Sequence, residues 1–313
     1  MATLDMTTAA AVSLPARASA AAPIFGEGDG HAVLLLHGLS SSPLELRYLA
    51  RYLHEEGFTV CAPVLDGYSA GSAEQPMERW IEGAVREFDA LAARYERVSV
   101  CGLSIGGALA LRLIQERPRA QALALLSLTL TYNGWAIPWY RFILDLAYYT
   151  PLRHRYRYRE AEPFGLRNEA LRAKIARAME RDAFSEVGPS EISLPALHQA
   201  NRLARLARQG LDRIENDTLV IHAIDDETSS PRNPNFIIER IGASFLRTIW
   251  LDDSYHMITS DNEREIVARE TALFLRESEI THGTTGSGAS PPVVSKALAR
   301  RLRQLAAVAR KSK

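Results

Sequence analysis

Ser104 is the residue with the clearest chemical potential, because it lies at the centre of the sequence GLSIG (residues 102–106). An apolar run typical of a buried strand (98–101) precedes this sequence, and a helical pattern (105–116) follows it. A sharp turn from strand into helix exposes the residue at its tip and crowds the positions beside it. Glycine on both sides would relieve that crowding. The sequence therefore predicts a nucleophilic serine at the tip of the turn.

A serine hydroxyl is a weak nucleophile at neutral pH, so it needs a base within hydrogen-bonding reach and a third group to orient that base. In proteins that use this kind of turn, the acid and then the histidine follow the serine along the chain. His256 comes just after an apolar run that ends at Leu251. The other late histidine, His282, lies in a segment rich in Gly, Ser and Thr. We therefore predict His256 as the general base.

Three neighbouring carboxylates compete for the role of the orienting acid. Asp225, Asp226 and Glu227 follow an apolar run (218–222), at the carboxyl end of a predicted strand. The spacing from the strand end favours Asp226 and leaves Asp225 as the alternative, because loop positions can be placed only to within a few residues. At least one of the three is expected to be an ordinary solvated carboxylate.

Backbone N–H groups are the expected donors to the oxyanion that forms during acyl transfer. One belongs to Ile105, directly after the serine, and the second to Leu39, in the loop His37-Gly38-Leu39 after the first predicted strand. His37 is expected to be structural because it precedes the nucleophile, and His222 is interpreted as a buried histidine at a strand end. No pair of His or Cys residues has metal-site spacing, so neither a metal nor an organic cofactor is expected.

Short apolar runs alternate with longer helical patterns, which predicts an α/β fold with a mostly parallel, doubly wound sheet covered by helices on both faces. The predicted strands are residues 32–36, 58–62, 98–101, 122–127, 218–222 and 248–251. The predicted helices are residues 42–56, 78–95, 105–116 and 261–276. Ser42, Pro43 and Glu45 have the pattern of a capping box at the start of the first helix. All the catalytic candidates follow strands, so the carboxyl edge of the sheet would bring them together.

The alternation of predicted strands and helices stops between about residues 130 and 213. This segment is first rich in aromatic and basic residues and then shows helical patterns. An insertion of this kind in an α/β protein is expected to form a helical cap over the carboxyl edge of the sheet. The predicted domains are a disordered leader (1–24), an α/β domain that contains the cap (25–277), and a flexible linker followed by a basic amphipathic helix (278–313).

The 313 residues are 47% apolar and 24% charged, which excludes a wholly disordered chain. The formal net charge is zero, but residues 291–313 hold seven basic and no acidic residues, so the rest carries −7 (30 basic against 37 acidic). Such a tail is suited to an acidic carrier protein, an anionic membrane surface or nucleic acid, and a solvated terminal helix is at least as good an interpretation as these three together.

Cysteine content and apolar runs bear on the cellular location. Cys61 and Cys101 end apolar runs and are expected to be buried thiols rather than a disulfide. The first 23 residues lack the basic start and unbroken apolar stretch of a signal peptide, and no apolar run is long enough to span a bilayer. The sequence therefore predicts a cytoplasmic protein.

These motifs resemble those of the carboxylesterase and monoacylglycerol-lipase branch of the α/β-hydrolase fold. Residues 34–43 are similar to its oxyanion loop, 102–107 to its nucleophile turn, 222–226 to its acid loop and 254–261 to its histidine loop. The resemblance covers about residues 30–277 and implies Ser104, Asp226 and His256 as a catalytic triad.

The same resemblance implies a cap that shapes the substrate pocket, in which Trp135, Trp139 and Phe142 would suit an acyl chain. Packing of the cap onto the sheet is the commoner role of such aromatic side chains. Tyr68 stands where relatives commonly carry histidine, and no Val-Pro follows Asp226. These two departures leave the acyl and alcohol preferences open.

The expected function is that of a serine carboxylesterase or lipase that hydrolyses small-molecule or lipid esters through an acyl-enzyme. A thioesterase acting on a carrier-bound acyl group is the nearest alternative, because it would use the same groups. A third possibility is a non-catalytic ligand-binding protein that keeps the fold. Loss of a triad residue would favour that reading, and the sequence retains all three.

Overall fold

The computed structural model describes residues 22–159, 162–181, 184–185, 188–189 and 191–283. The chain divides into two compact units, Met1–Arg276 and Glu277–Lys313. In the second unit only residues 277–283, the end of a helix, are described. The predicted basic helix lies outside the described residues, and so does the predicted leader except for its last three residues. Of the predicted linker, residues 278–283 are described, and they are helical rather than a flexible connection. Ile24, assigned to that leader, is the first residue of a strand.

A seven-stranded sheet forms the centre of the first unit. Its strands are β1 (Ile24–Gly26), β2 (His31–Leu36), β3 (Thr59–Ala62), β4 (Arg97–Leu103), β5 (Ala122–Leu126), β10 (Asp217–Ala223) and β11 (Leu246–Leu251), and β6 to β9 lie in the insertion described below. Their order across the sheet is β1-β3-β2-β4-β5-β10-β11. Six of these strands run parallel, and β1 is antiparallel at one edge. The chain moves outward from β2 to β3 and then crosses to β4 on the other side. Such a change of direction opens a crevice at the carboxyl ends of β2 and β4.

Helices cover both faces of this sheet. They are α1 (Arg47–Glu55), α2 (Met77–Ala92), α3 (Ile105–Glu116), α4 (Phe142–Ala147), α5 (Glu169–Arg181), α6 (Leu194–Ala207), α7 (Arg232–Ile238) and α8 (Arg264–Gly283). Alternate residues of β2 enter different core clusters, since successive side chains of a strand point to opposite faces. Leu34 and Leu36 pack with α2, α3 and α6, whereas Val33 and Leu35 pack with α1 and the first part of α8.

The two cysteines are part of this core. Cys101 is fully buried in β4, and Cys61 is half-buried in β3. Burial raises the pKa of each thiol to about 12. Both cysteines are free thiols, which agrees with the interpretation of the sequence.

The insertion after β5 forms a mixed helical and extended cap. It contains α4, α5 and the short strands β6 (Arg157–Arg159), β7 (Phe184–Ser185), β8 (Gly188–Pro189) and β9 (Glu191–Ser193). β6 pairs with β9 and β7 pairs with β8, both antiparallel. The last helical part of the insertion, α6, returns to the body. Its Leu203 and Ala207 are buried in the core cluster that includes α3, so this helix is also a layer of the main fold.

Several local features differ from the sequence interpretation, among them three near the start of the described chain. The edge strand β1 was not predicted, because three residues give too short a pattern to detect. The first predicted helix starts as a 3-10 turn (Pro43–Leu46) before α1. The Ser42 hydroxyl accepts from the Leu44 N–H, but the capping-box prediction for Glu45 was wrong, because its carboxylate accepts from the Gly38 N–H at 2.9 Å.

Among the described residues, no helix combines the length and apolar character needed to cross a bilayer.

The close approach of α3 to β2 gives a test of the fold. A Cβ atom on Gly106 would lie 2.3 Å from the Leu36 carbonyl oxygen and 2.4 Å from that of His37. We expect Gly106→Ala to lower the free energy of unfolding by about 3 kcal/mol, because two backbone segments must move apart. Gly30→Ala is the control, since nothing lies within 4 Å of its added Cβ. Equal denaturation midpoints for the two variants would contradict this account.

Candidate active site

The turn between β4 and α3 holds Ser104 in an unusual backbone conformation, with φ of 56° and ψ of −122°. Conformations of this kind cost about 1–3 kcal/mol and persist only where neighbouring structure enforces them. Three hydrogen bonds do so: the Ser104 N–H donates to Leu126 O at 2.9 Å, and its carbonyl accepts from Gly107 and Thr129 N–H at 3.0 and 3.2 Å. A Cβ on Gly102 would lie 2.2 Å from the Gly106 carbonyl oxygen, which explains the glycine there.

The Ser104 hydroxyl, the His256 imidazole and the Asp226 carboxylate form one continuous hydrogen-bonded row. His256 Nε2 lies 2.9 Å from Ser104 Oγ, and His256 Nδ1 lies 2.7 Å from Asp226 Oδ2. The three residues follow β4, β11 and β10, so the carboxyl edge of the sheet brings them together. Thr129 Oγ1 also lies 3.2 Å from Ser104 Oγ. The row has the geometry needed to move a proton from the hydroxyl to the imidazole.

The structure separates the three competing carboxylates. Asp226 is 2% exposed, and its Oδ1 accepts from the Thr228 and Ser229 N–H groups at 2.9 and 2.6 Å. These bonds leave its other oxygen directed at His256. Asp225 is instead a solvated carboxylate, with a side chain that is 60% exposed and paired with Arg167 at 3.2 Å.

Glu227 has a role that the sequence interpretation missed. It is buried, and its Oε2 accepts from the backbone N–H of His256 at 3.0 Å. Burial raises the pKa of this carboxyl, the Asp226 charge acts in the same direction, and His256 opposes them. The acid loop therefore holds His256 at two points, its ring through Asp226 and its backbone through Glu227. Three consecutive acidic residues after a strand were the available signal.

Two further residues tie the cap to the histidine loop. The buried Asp261 carboxylate accepts from the backbone N–H groups of Arg167, Asn168 and Tyr255, at 2.7 to 2.9 Å. The Arg167 guanidinium also pairs with Asp253 at 3.3 Å. These contacts tie the cap segment before α5 to the loop that carries His256.

His222 lies behind the row and is fully buried. Its Nε2 donates to the Ser229 carbonyl at 2.6 Å and lies 3.5 Å from Asp226 Oδ2. Burial lowers its pKa, while Asp226 opposes that shift. This position agrees with the interpretation of His222 as a buried histidine at a strand end.

The loop after β2 is organised by His37, which is buried. Its Nδ1 lies 2.8 Å from Gly38 O and its Nε2 lies 2.7 Å from Ser69 Oγ. Tyr68 stacks on the ring and donates its hydroxyl to the His37 carbonyl at 2.7 Å. Burial lowers the pKa of His37 to about 4. His37 thus supports the backbone of the loop that presents Leu39, and both Leu39 and Ser104 line the same cleft.

Two cavities meet at this cleft. The smaller, about 70 Å³, is lined by Ser104, His256 and Leu39 together with residues of the cap. The larger, about 700 Å³, lies within the cap and is lined mainly by apolar and aromatic side chains. The two share Tyr132, Ile192 and Thr228 as lining residues.

The aromatic residues proposed from the sequence lie elsewhere in the cap. None of Trp135, Trp139 and Phe142 is among the described residues that line these two cavities. Trp135 donates its indole N–H to the Asp225 carbonyl at 3.0 Å, and Trp139 is 85% exposed. Residues beside them in the sequence line the large cavity instead, including Tyr140, Ile143 and Leu144. Helical phase within the cap decides this, and the aromatic composition alone did not reveal it.

Within the described ranges, no group of three or more His, Cys, Asp or Glu side chains is arranged to hold a metal ion.

Comparison with known proteins places this fold and site in a family. The model of the family described as serine aminopeptidase, S33, matches residues 29–263. The chain belongs to this family of α/β hydrolases. The matched region contains the nucleophile turn, the acid loop and the histidine loop, so the resemblance derived from the sequence motifs is confirmed.

Two curated relatives cover most of the hydrolase. A carboxylesterase of Bacillus subtilis (strain 168) is 26% identical over 259 residues, which are 82% of this chain and 96% of the relative. A thermostable monoacylglycerol lipase of Bacillus sp. (strain H-257) is 25% identical over 261 residues, or 82% and 94% of the two chains. Both names denote carboxylic ester hydrolases, in agreement with the enzyme class that the sequence predicted.

Solved structures show the same fold. One, from work on the metagenome-derived lipolytic enzymes LipS and LipT, has a TM-score of 0.68 and 24% identity, and covers 82% of this chain and 98% of its own. A monoacylglycerol lipase of Paleococcus ferrophilus has a TM-score of 0.67 and 18% identity with the same coverage. The predicted α/β-hydrolase architecture is therefore confirmed.

The neutral, buried His37 should make stability depend on pH. Its pKa is about 4 in the folded protein against an ordinary value of 6.5. The unfolded chain therefore takes up more protons between these values, and stability is lost as the pH falls through this range. We expect His37 to account for a loss of about 2 kcal/mol between pH 7 and pH 5.

Denaturant unfolding at the two pH values measures this effect. His37→Gln should be less stable than wild type at pH 7, because the ring contacts are lost, but its unfolding free energy should fall less on acidification. The buried His222 remains in both proteins and contributes equally. An unchanged pH dependence in His37→Gln would contradict the assignment.

Proposed function

We propose that the chain is a serine carboxylesterase or lipase that hydrolyses carboxylic esters through an acyl-enzyme on Ser104. The supporting observation is the unbroken row of hydrogen bonds from Ser104 Oγ through His256 to Asp226, at 2.9 and 2.7 Å. Ser104 and His256 line a cleft that cap residues also line. The relatives' names support an ester or lipid substrate.

In the first step, Ser104 Oγ attacks the acyl carbon while His256 Nε2 takes up its proton. The Nδ1–H group of His256 donates to Asp226, so the lone pair that accepts the proton is on Nε2, which faces Ser104 Oγ. Asp226 stabilises the imidazolium that forms, and the hydrogen bonds to its other oxygen keep the carboxylate in place. His256 then gives the proton to the departing alcohol. Water completes the cycle by attacking the acyl-enzyme with the same groups in reverse roles.

The oxyanion of each tetrahedral intermediate would accept from the Leu39 and Ile105 N–H groups. Ile105 is the first residue of α3, so its N–H lies at the helix N-terminus, which is the positive end of the helix dipole. Donors of this kind contribute about 3 kcal/mol each to lowering the barrier, because they are oriented before the charge develops. The hydrogen bonds of His37 and Tyr68 hold the loop that carries Leu39 in position.

The large cavity in the cap is the proposed site of the acyl group. Its volume of about 700 Å³ lies within the usual range for small-molecule pockets, about 300–1,000 Å³. It adjoins the Ser104 cleft through Tyr132 and Ile192, and its lining is mainly apolar. An acyl chain would gain about 0.8 kcal/mol for each methylene group buried there.

Labelling with a fluorophosphonate probe tests the catalytic assignment. Wild type should be labelled at Ser104, and Ser104→Ala should not. We expect Asp226→Asn to lower kcat/KM for a soluble nitrophenyl ester by about 10⁴-fold, because the imidazole loses its orienting carboxylate. Asp225→Asn is the matched control and should change activity by less than about threefold, since that group is solvated. Equal losses in the two variants, or an unlabelled wild type, would refute the triad.

The proposed acyl site is tested by a series of nitrophenyl esters from acetyl to lauroyl, run beside the matching acyl thioesters. Filling the cavity with Leu144→Trp should move the preference to shorter chains and reduce kcat/KM for the longest ester by about tenfold, the equivalent of roughly two buried methylene groups. Leu273→Trp, on the exposed side of α8, is the control. A profile that Leu144→Trp leaves unchanged would remove the cavity from the proposal, and a consistent preference for thioesters would favour a thioesterase.

A further inference from the structure

The outer surface of the cap carries an unusual concentration of exposed apolar side chains. Of the 14 large apolar residues that are exposed in the described chain, eight lie between residues 135 and 152. We call this set the cap ridge, and it consists of Trp135, Trp139, Tyr140, Phe142, Ile143, Leu146, Tyr149 and Leu152. Contiguous exposed apolar surface on a globular protein commonly marks a site of interaction.

Helical geometry aligns several of these side chains on one outward face. Trp139, Phe142, Leu146 and Tyr149 follow each other at intervals of three or four residues through the turn before α4, α4 itself and the turn after it. Leu146 is 65% exposed and Tyr149 is 76% exposed, whereas Ala147 is buried and lines the large cavity. A surface helix whose outer face is in contact with water normally carries polar residues on that face. In α4 and the turn after it, however, apolar residues face the solvent at Leu146 and Tyr149 as well as the cavity at Ala147.

Arginines lie within and directly after the cap ridge along the chain. Residues 135–159 contain five arginines and one acidic residue, Asp145. Arg157 and Arg159 pair with Glu74 and Glu191. Arg153 and Arg155 are exposed, and within the described part of the chain neither forms an ion pair with a carboxylate. The surface therefore combines tryptophan, tyrosine and aliphatic side chains with unneutralised guanidinium groups.

We propose that the cap ridge docks onto an anionic lipid surface. Its aromatic and aliphatic side chains would enter the boundary between headgroups and acyl chains, as amphipathic surface elements do. Arg153 and Arg155 would contact the lipid phosphates, since each basic residue near such a surface adds to binding. The charges also argue against a second copy of the chain as the occupant, because pairing two cap ridges would bring like charges together.

Docking would place the substrate cavity at the lipid surface. Tyr140, Ile143 and Leu152 belong to the cap ridge and also line the large cavity. The same short segment thus separates the cavity from the outside. An ester that leaves the lipid layer would pass this segment on its way to Ser104. The passage of an ester from the lipid layer to Ser104 rests on the proposed hydrolysis. The docking of the cap ridge onto the lipid surface does not rest on it.

Vesicle co-sedimentation with the full chain tests the docking without turnover. Wild type should bind vesicles of phosphatidylglycerol and phosphatidylcholine in equal amounts, more tightly at low salt, and should bind pure phosphatidylcholine weakly. Arg153→Glu with Arg155→Glu should weaken binding to the anionic vesicles by at least roughly fivefold for each arginine. Leu146→Ser with Tyr149→Ser should weaken it by at least about tenfold, because two exposed apolar anchors are lost.

Matched substitutions outside the cap serve as controls. Arg86→Glu on α2 and Leu273→Ser on α8 alter exposed residues of the same types and should bind as wild type does. All these variants should keep their activity on a soluble short-chain ester, which shows that they are folded. Ser104→Ala should bind vesicles as wild type does, so a failure of the proposed catalysis is separable from a failure of docking.

Three results would overturn the proposal. The first is the absence of binding to anionic vesicles by wild type. The second is binding that the cap variants leave unchanged but that Arg300→Glu, Arg301→Glu and Arg303→Glu together abolish, which would assign it to the basic tail. The third is a concentration-dependent dimer that Leu146→Ser with Tyr149→Ser dissociates, because the occupant would then be a second copy of the chain.

Discussion

The backbone of Ser104 is held in a conformation that a serine avoids, and the other contacts of the site depend on it. The hydroxyl reaches His256 only because the chain reverses at this residue between β4 and α3. Hydrogen bonds from β5 and from the residues after it fix the reversal. The glycines at 102 and 106 allow α3 to approach β4 and the loop after β2. The same approach brings the Leu39 loop close to Ser104.

Buried carboxylates organise the loops around this turn. Asp226, Glu227 and Asp261 are each almost fully buried, and each accepts hydrogen bonds from backbone N–H groups. Such bonds compensate for the loss of hydration that burial imposes on a charged or polar group. Each carboxylate also spans two segments that are distant in sequence. Hydrogen bonds to these carboxylates therefore connect the histidine loop both to the acid loop and to the cap segment before α5.

Most of the sheet and the candidate site could be predicted, because their signals are local. A buried parallel strand is a continuous apolar run, and the turn at Ser104 needs glycines at fixed positions. The contacts of Glu227 and Glu45 could not be predicted, since they depend on which loops meet in space. The cap was least predictable. Its aromatic residues are close in sequence, yet small differences in helical phase place Leu144 in the cavity and Trp139 in the solvent.

The two cysteines of the hydrolase are expected to react slowly with oxidants. A thiol with a pKa of about 12 carries almost no thiolate at neutral pH, and thiolate is the form that alkylating agents and peroxides attack. Cys61 and Cys101 are therefore poor targets for oxidation, although Cys101 lies in β4, the strand that leads to Ser104, and Cys61 lies two strands away in β3. We therefore expect neither thiol to make the Ser104 site sensitive to the redox state of its surroundings.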